Sequence, residues 1–229
     1  MNSKNQNDKP ESPPSAFDAI APGWYNFRHY TIFKTELEGL AARWHEGRLL
    51  NLGCGHGADF LPFKHGLHGF ELYGVDFSAG MLKLAEKFSQ KHGFEAKLTQ
   101  ADLRQLPYPD GSFDWAIAVA SLHHLKGHDE QLKALSELKR VLKPEGEAFI
   151  TVWNRRQPRF WLSPKEALIP FKVGDEIIQR YYYLFTYTEI ERLVRQAGFA
   201  LLASSPESRY YFPVRTFSRN ICLLIKKRN

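Results

Sequence analysis

Three glycines at alternate positions, Gly53, Gly55 and Gly57, follow the apolar run Leu49-Leu50-Asn51-Leu52 and lead into a helical pattern. A loop without side chains at a strand-to-helix junction lets a ligand lie against backbone N–H groups. The G-x-G-x-G spacing departs from the G-x-G-x-x-G of dinucleotide binders, so a pyrophosphate cradle is not the first reading. Two acids follow at strand ends. Asp76 closes Tyr73-Gly74-Val75-Asp76, at a distance from the loop where an acid accepts hydrogen bonds from both ribose hydroxyls. Asp102, in Ala101-Asp102-Leu103, is placed to take an adenine amino proton while Leu103 covers the ring. Ala120-Ser121-Leu122-His123-His124 then reaches the mouth of the same crevice. Taken singly, an Asp at a strand end is more often a helix cap. Joined to the loop, the acids point to a nucleoside-bearing cofactor.

The elements that must position these residues alternate from residue 48 onward. Strands are expected at 48–52, 71–76, 95–100, 113–119 and 146–152, and helices near 58–65, 78–92 and 128–142. Strands alternating with helices imply parallel pairing with right-handed crossovers, and ligands beyond the carboxyl ends of the strands. The fold class is therefore α/β, a doubly wound, Rossmann-like sheet of seven strands with helices on both faces. A capping box, Thr186-Tyr187-Thr188-Glu189, opens a helix that stops at Gly198. The runs Phe199–Ser204 and Ile221–Ile225 predict an antiparallel C-terminal hairpin on the sheet edge.

The flanks are less regular. Residues 1–15 hold three prolines and almost no apolar side chains, which reads as a disordered tail ahead of a single domain spanning 16–229. Within that domain, 16–47 reads as an N-terminal lid, 48–153 as the cofactor-binding core, 154–180 as an insertion with one short helix, and 181–229 as the C-terminal helix and hairpin. Pro22-Gly23 is expected to break any helix begun before it. Five aromatic rings between Trp24 and Tyr30, counting His29, either form a core patch or wall a pocket around Arg28.

Composition narrows the classes. Cys54 and Cys222 are the only cysteines, which excludes a disulfide scaffold and a four-cysteine zinc site and suits a reducing compartment; a cytoplasmic location is expected. No apolar run approaches the ~18 residues a membrane span requires, so no membrane partner is expected. The net charge of +6 is uneven: residues 154–229 carry fourteen Lys/Arg against six Asp/Glu. That excess is either a solvated basic surface or one that faces phosphates.

In this order the motifs Asn51-Leu52-Gly53-Cys54-Gly55-His56-Gly57, Gly74-Val75-Asp76-Phe77-Ser78, Ala101-Asp102-Leu103, Asp110-Gly111-Ser112-Phe113-Asp114-Trp115 and Leu138–Gly146 resemble the class I S-adenosylmethionine-dependent methyltransferases. The resemblance implies S-adenosyl-L-methionine as cofactor, S-adenosyl-L-homocysteine as product, and Asn51, Gly53, Cys54, Gly55, Asp76, Phe77, Met81, Asp102, Leu103 and Ala118 as cofactor contacts. Asn51 stands where most members have an acid, which shifts weight onto Asp76 and Asp102. Outside the core, Phe17–Pro22 followed by Arg28, the His123-His124 pair, Arg180–Phe185 and Arg219-Asn220 look like the tRNA wobble-uridine carboxymethyl methyltransferases. Tyr183 and Ile221-Cys222 depart from that family's usual residues.

That narrower resemblance implies a carboxylate acceptor in tRNA and a small zinc-ribbon activator subunit as partner, with no DNA. A carboxylate is ionised at neutral pH and needs no general base, only alignment and cationic or N–H partners. Arg28 and His124 are the catalytic candidates; His123, Arg180, Tyr181, Tyr182, Arg219 and Asn220 are the substrate-binding candidates. The tyrosine run either packs into the core or stacks on an unpaired base. No metal is expected, since adjacent histidines lack a carboxylate or cysteine to complete a ligand set. The competing reading is a methyltransferase acting on a small molecule, a quinone or a carboxylic acid; a carbon nucleophile would require a base, for which His124 is the candidate. A third reading is an RNA-binding or subunit protein without catalysis, against which the intact loop, Asp76 and Asp102 argue.

Overall fold

The computed structural model describes residues 15–27, 29–64, 69–212 and 214–228. In chain order the elements are α1 (Ser15–Phe27), α2 (Lys34–Trp44), β1 (Gly47–Leu52), β2 (Phe70–Asp76), α3 (Ala79–His92), β3 (Lys97–Gln100), β4 (Phe113–Val119), α4 (Gly127–Val141) and β5 (Leu142–Trp153). They continue with β6 (Glu166–Val173), β7 (Glu176–Tyr183), α5 (Tyr187–Gln196), β8 (Phe199–Pro206) and β9 (Asn220–Lys227). Seven strands form one sheet in the order β3-β2-β1-β4-β5-β9-β8. The β1–β2, β1–β4, β2–β3 and β4–β5 pairs are parallel, and β9 runs antiparallel to both β5 and β8. The chain therefore carries the doubly wound sheet with an antiparallel C-terminal hairpin that the alternating pattern predicts.

Side chains alternate across each strand, so neighbours on β1 serve opposite layers. Leu49 packs with Phe33, Leu37, Trp44 and Phe149 on the α2 side. Leu50 packs with Leu135, Leu138, Ile190 and Leu193 on the α4/α5 side. Each such burial is worth about 1.5–3 kcal/mol. Glu147 on β5 fixes α2 further: Trp44 Nε1 donates to its Oε2 at 2.9 Å, and Arg43 Nη2 to its Oε1 at 2.6 Å.

Three expectations are corrected. Pro22 lies inside α1 instead of ending it. Tertiary packing overrides the local break: Ile20 and Ala21 are buried against Met81, and a Cβ on Gly23 would stand 3.5 Å from Val173, so hairpin side chains close onto that backbone. The helix expected near 58–65 is a single 3-10 turn at Ala58–Phe60 followed by turns, because i+3 bonds bring Phe60 and Phe63 inward together. The 154–180 stretch holds a 3-10 turn at Pro158–Phe160 and, beyond it, an antiparallel pair, β6–β7, that forms a second sheet. Its two-residue turn is Gly174-Asp175, with Gly174 at φ +58°. Strand β7 runs through the boundary expected at 180/181. Residues 1–14 of the expected tail lie outside the described residues; Ser15 opens α1.

Candidate functional site

The glycine loop leaves β1 with Gly53, Gly55 and Gly57 at φ +67°, +53° and +86°. The N–H groups of Gly53 and Cys54 both donate to the Val75 carbonyl, at 2.8 and 2.9 Å, which pins the loop to β2. A Cβ on Gly53 would lie 2.5 Å from Ser121 Cβ, whereas one on Gly55 would meet nothing. The first glycine thus lets β4's exit approach, and the second leaves open space beside the loop.

Asp76 ties the loop to the next helix. Its Oδ2 accepts from Gly55 N and its Oδ1 from Ser78 N, both at 2.9 Å. Burial raises its carboxyl above the ordinary range, and these two N–H groups oppose the rise. Each oxygen keeps a further acceptor site for a diol. Ser78 caps α3 by accepting from Met81 N at 3.0 Å, while its hydroxyl donates to Asp18 Oδ1 at 2.6 Å. Gly80 N donates to the same Asp18 oxygen at 2.8 Å, so α1 is fastened to the start of α3. From α1, Phe17 meets Phe77 and His124 edge-on at 5.4 and 4.8 Å.

Gly53, Gly55, Asp76, Phe77 and Phe17 line one cavity of about 730 Å3, which extends from the glycine loop to Trp153 and β7. Gly53, Cys54, Gly55, Asp76, Phe77, Met81, Asp102 and Leu103 all line it, and so do His123, His124, Arg180, Tyr181 and Tyr182. Asp102 reaches the wall, but its carboxylate is held by Arg104 through Nη2 at 2.5 Å and Nε at 2.9 Å, which lowers its pKa. Arg104 also reaches Glu130 at 2.8 Å. Asn51 and Ala118 are buried in strands and are not among the lining residues. Among the described residues, neither polar atom of the Asn51 side chain has a hydrogen-bond partner. Asn220 is buried and Arg219 exposed, both away from the cavity lining; Arg219 contributes its carbonyl, which accepts from Asn154 N at 2.9 Å. Arg28 lies outside the described residues.

The acceptor side is built where β4 ends. Ala120 adopts φ +55°, an uncommon backbone for a residue with a Cβ, held by its N–H donating to Thr151 Oγ1 at 3.0 Å. This bend places Ser121, His123 and His124 on the cavity wall. His124 Nδ1 lies 2.9 Å from the Tyr181 carbonyl, which only accepts, so that nitrogen carries the proton. Burial, with the Arg180 charge adding to it, lowers its pKa to about 4, leaving Nε2 a neutral acceptor above that pH. His123 has the opposite tautomer, because its Nδ1 accepts from Trp153 N at 3.2 Å and its proton sits on Nε2. The histidine pair thus presents one acceptor and one donor nitrogen, and among the described residues no cluster of three ligating groups surrounds it.

Tyr181, Tyr182 and Tyr183 are all buried. They are wall and core, not an open stacking platform. Tyr182 lies between Trp153 and His123, with ring centroids 4.3 and 4.9 Å away. Arg180 is also buried, its guanidinium 4.9 Å from the Phe171 ring, 5.3 Å from Tyr182 and 5.6 Å from Trp24. Sequence reasoning missed Arg104 and Trp153 as wall residues. Ser121 was legible next to the histidines; nothing in the sequence signals the Ala120 bend that exposes it.

The residues present fit an adenosyl cofactor: a glycine at open space, a buried acid at the second strand end, and a cavity of ligand size. Residues 50–150 match the methyltransferase domain family. The chain is 33% identical over 162 residues to the tRNA (carboxymethyluridine(34)-5-O)-methyltransferase of Arabidopsis thaliana, covering 70% of this chain and 37% of that protein. It is 33% identical over 140 residues to the demethylmenaquinone methyltransferase of Thermus thermophilus, covering 58% and 62%. Among solved structures, a S-adenosylmethionine-dependent methyltransferase from Clostridium acetobutylicum superposes with a TM-score of 0.71 at 15% identity, covering 92% of this chain and 97% of that one. A protein solved in complex with the Haloferax volcanii Trm112 methyltransferase activator superposes with a TM-score of 0.69 at 16% identity, covering 93% and 98%.

Proposed function

We propose that this protein, a S-adenosylmethionine-dependent methyltransferase of the Rossmann-like fold, O-methylates a carboxylate, the carboxymethyl group of a modified wobble uridine in tRNA. One observation carries this reading: the acceptor side of the cavity offers a buried arginine, Arg180, and a histidine whose pKa is lowered to about 4. A base that weak is poorly matched to a phenol or a carbon acid, whereas a carboxylate arrives ionised and requires a cation to hold it.

When bound, the cofactor supplies an electrophilic methyl group on a sulfonium. Asp76 would accept the ribose hydroxyls, and the Gly53–Gly55 backbone would support the amino-acid end. Arg180 would hold the acceptor carboxylate in a bidentate fork, leaving one lone pair aimed at the methyl carbon. His124 cannot donate to that carboxylate from Nε2, so it serves an N–H or O–H of the acceptor instead. Phe17, Tyr182 and Trp153 exclude water from the wall. Alignment at near-attack distance supplies the rate, with no proton transfer in the chemical step.

The aromatic wall of Phe17, Trp24, Phe77 and Trp153 favours a second reading, a flat apolar acceptor such as a quinone. The test is transfer of labelled methyl from the cofactor to tRNA carrying carboxymethyluridine, followed by mild alkali. A methyl ester releases its label as methanol. Label that stays on the product, or that enters only a quinol, overturns the carboxylate reading. The partner proposed alongside is a small activator subunit; purification of the chain alone as an active monomer would remove it.

A further inference from the structure

Two loops outside the cavity carry a composition that the methyl-transfer site does not use. Residues 154–163 hold three arginines and no acid, and residues 208–219 hold three more and again no acid. The loops are joined: Asn154 Nδ2 donates to the carbonyls of Thr216 and Ser218 at 2.7 and 2.8 Å. Their rings face one another as well. Trp161 lies 5.9 Å from Phe217, and Phe217 lies 6.5 Å from Phe212. Trp161 is 64% exposed, Phe212 57% and Tyr211 90%. Large rings so exposed, set among arginines, mark an interaction surface.

The surface continues into the site. The Arg159 guanidinium sits 4.6 Å over the Trp153 ring, and Trp153 stacks on Tyr182 in the cavity wall. Arg180 and Arg219 lie near enough to Arg159 to lower its pKa, with burial the larger cause. A row of cations therefore runs from the acceptor side outward.

We propose that this Trp161/Phe212/Phe217 face, with Arg156, Arg159 and Arg209 on the loops that carry it, docks a single-stranded RNA segment flanking the nucleotide that enters the cavity. The proposal rests on the tRNA reading above. Rings take the bases by stacking, and guanidinium groups take the phosphates, a combination that tolerates sequence and depends on salt. An anionic membrane also attracts arginines and exposed rings, but it does not account for the cation row that leads inward to Arg180. A bound strand does, since its phosphates continue to the reacting nucleotide.

The test is anisotropy of a short fluorescein-labelled oligouridylate with the full chain, alongside flotation on phosphatidylcholine/phosphatidylserine vesicles. Trp161→Ala with Phe212→Ala should weaken RNA binding about tenfold or more. Arg156→Ala with Arg209→Ala should lower the slope of log affinity against log salt by about 0.7 per arginine. Cofactor affinity should stay at the wild-type value in both, which shows that the variants fold. RNA affinity unchanged in both variants overturns the surface. Vesicle binding lost in the ring variant while RNA binding persists overturns it in favour of a membrane. Ring-dependent RNA binding without any ester formed on tRNA leaves the surface standing and removes the acceptor reading. Ester formation on tRNA at wild-type rates in both variants does the reverse.

Discussion

The Nδ1 of His124 lies 2.9 Å from the carbonyl oxygen of Tyr181, so one hydrogen bond joins the end of β4 to β7 and fixes the tautomer that faces the acceptor. Because the imidazole is buried and its pKa is lowered to about 4, the folded state resists its protonation. The unfolded chain binds that proton near the ordinary histidine value. The stabilisation is thus complete above about pH 6.5 and is lost as pH falls toward 4, by an amount on the order of 3 kcal/mol. Urea melts of the wild type and His124→Gln across that window should converge at low pH. Parallel pH dependence in the two proteins would contradict the assignment.

Arg180→Lys should reduce methyl transfer by about a hundredfold or more while cofactor affinity stays within about twofold, because a lysine lacks the planar fork that aligns a carboxylate. Isothermal titration with the cofactor and single-turnover transfer separate the two effects. Asp76→Ala should show the opposite pattern, with cofactor binding lost first.

At Gly53 two penalties coincide, φ +67° and the 2.5 Å approach to Ser121 Cβ. Gly53→Ala should cost about 1–3 kcal/mol and abolish cofactor binding. Adding Ser121→Gly removes the clash but not the φ penalty, so it should restore part of the stability. Gly55→Ala, with φ +53° but open space, should be milder for folding than for the ligand. Thermal melts with and without cofactor distinguish these cases.

The Asp18–Ser78 contact makes α1 and α3 a single unit. Ser78→Ala should lose about 1 kcal/mol as an N-cap. Asp18→Ala should add less on top of it than by itself, since Ser78→Ala has already removed the hydroxyl that Asp18 holds and leaves only its bond from Gly80 N. A double-mutant cycle on denaturation midpoints measures that coupling. Strict additivity would mean that the contact contributes nothing.

The sheet was legible because each β-α unit announces itself locally: an apolar run in β4, a capped helix after Ser78, a capping box at Thr186 that the structure reproduces with both hydrogen bonds. That Gly53, Gly55, Asp76 and Asp102 line one cavity was legible for the same reason, since glycine spacing and strand-end acids are sequence features. What failed was non-local. Pro22 remains helical because of packing from β6. The Asp102–Arg104 pair is local, two residues apart, but spacing alone does not rank such a pair against a ligand. The tyrosine run was ambiguous because burial of Tyr182 depends on Trp153, distant in sequence. The β6–β7 pair was obscured by Pro164 and Pro170, although Gly174-Asp175 between apolar runs was a hairpin signal.

The hairpin β6–β7 also separates two problems that most enzymes must solve together. It supplies Arg180, Tyr181 and Tyr182 to the cavity, yet none of its strands pairs with the seven-stranded sheet. Substitutions there can reshape that part of the cavity wall without shifting a register in the seven-stranded sheet that carries the glycine loop. On the proposed reading, a change of methyl acceptor therefore needs no change in the strands that carry the glycine loop and Asp76.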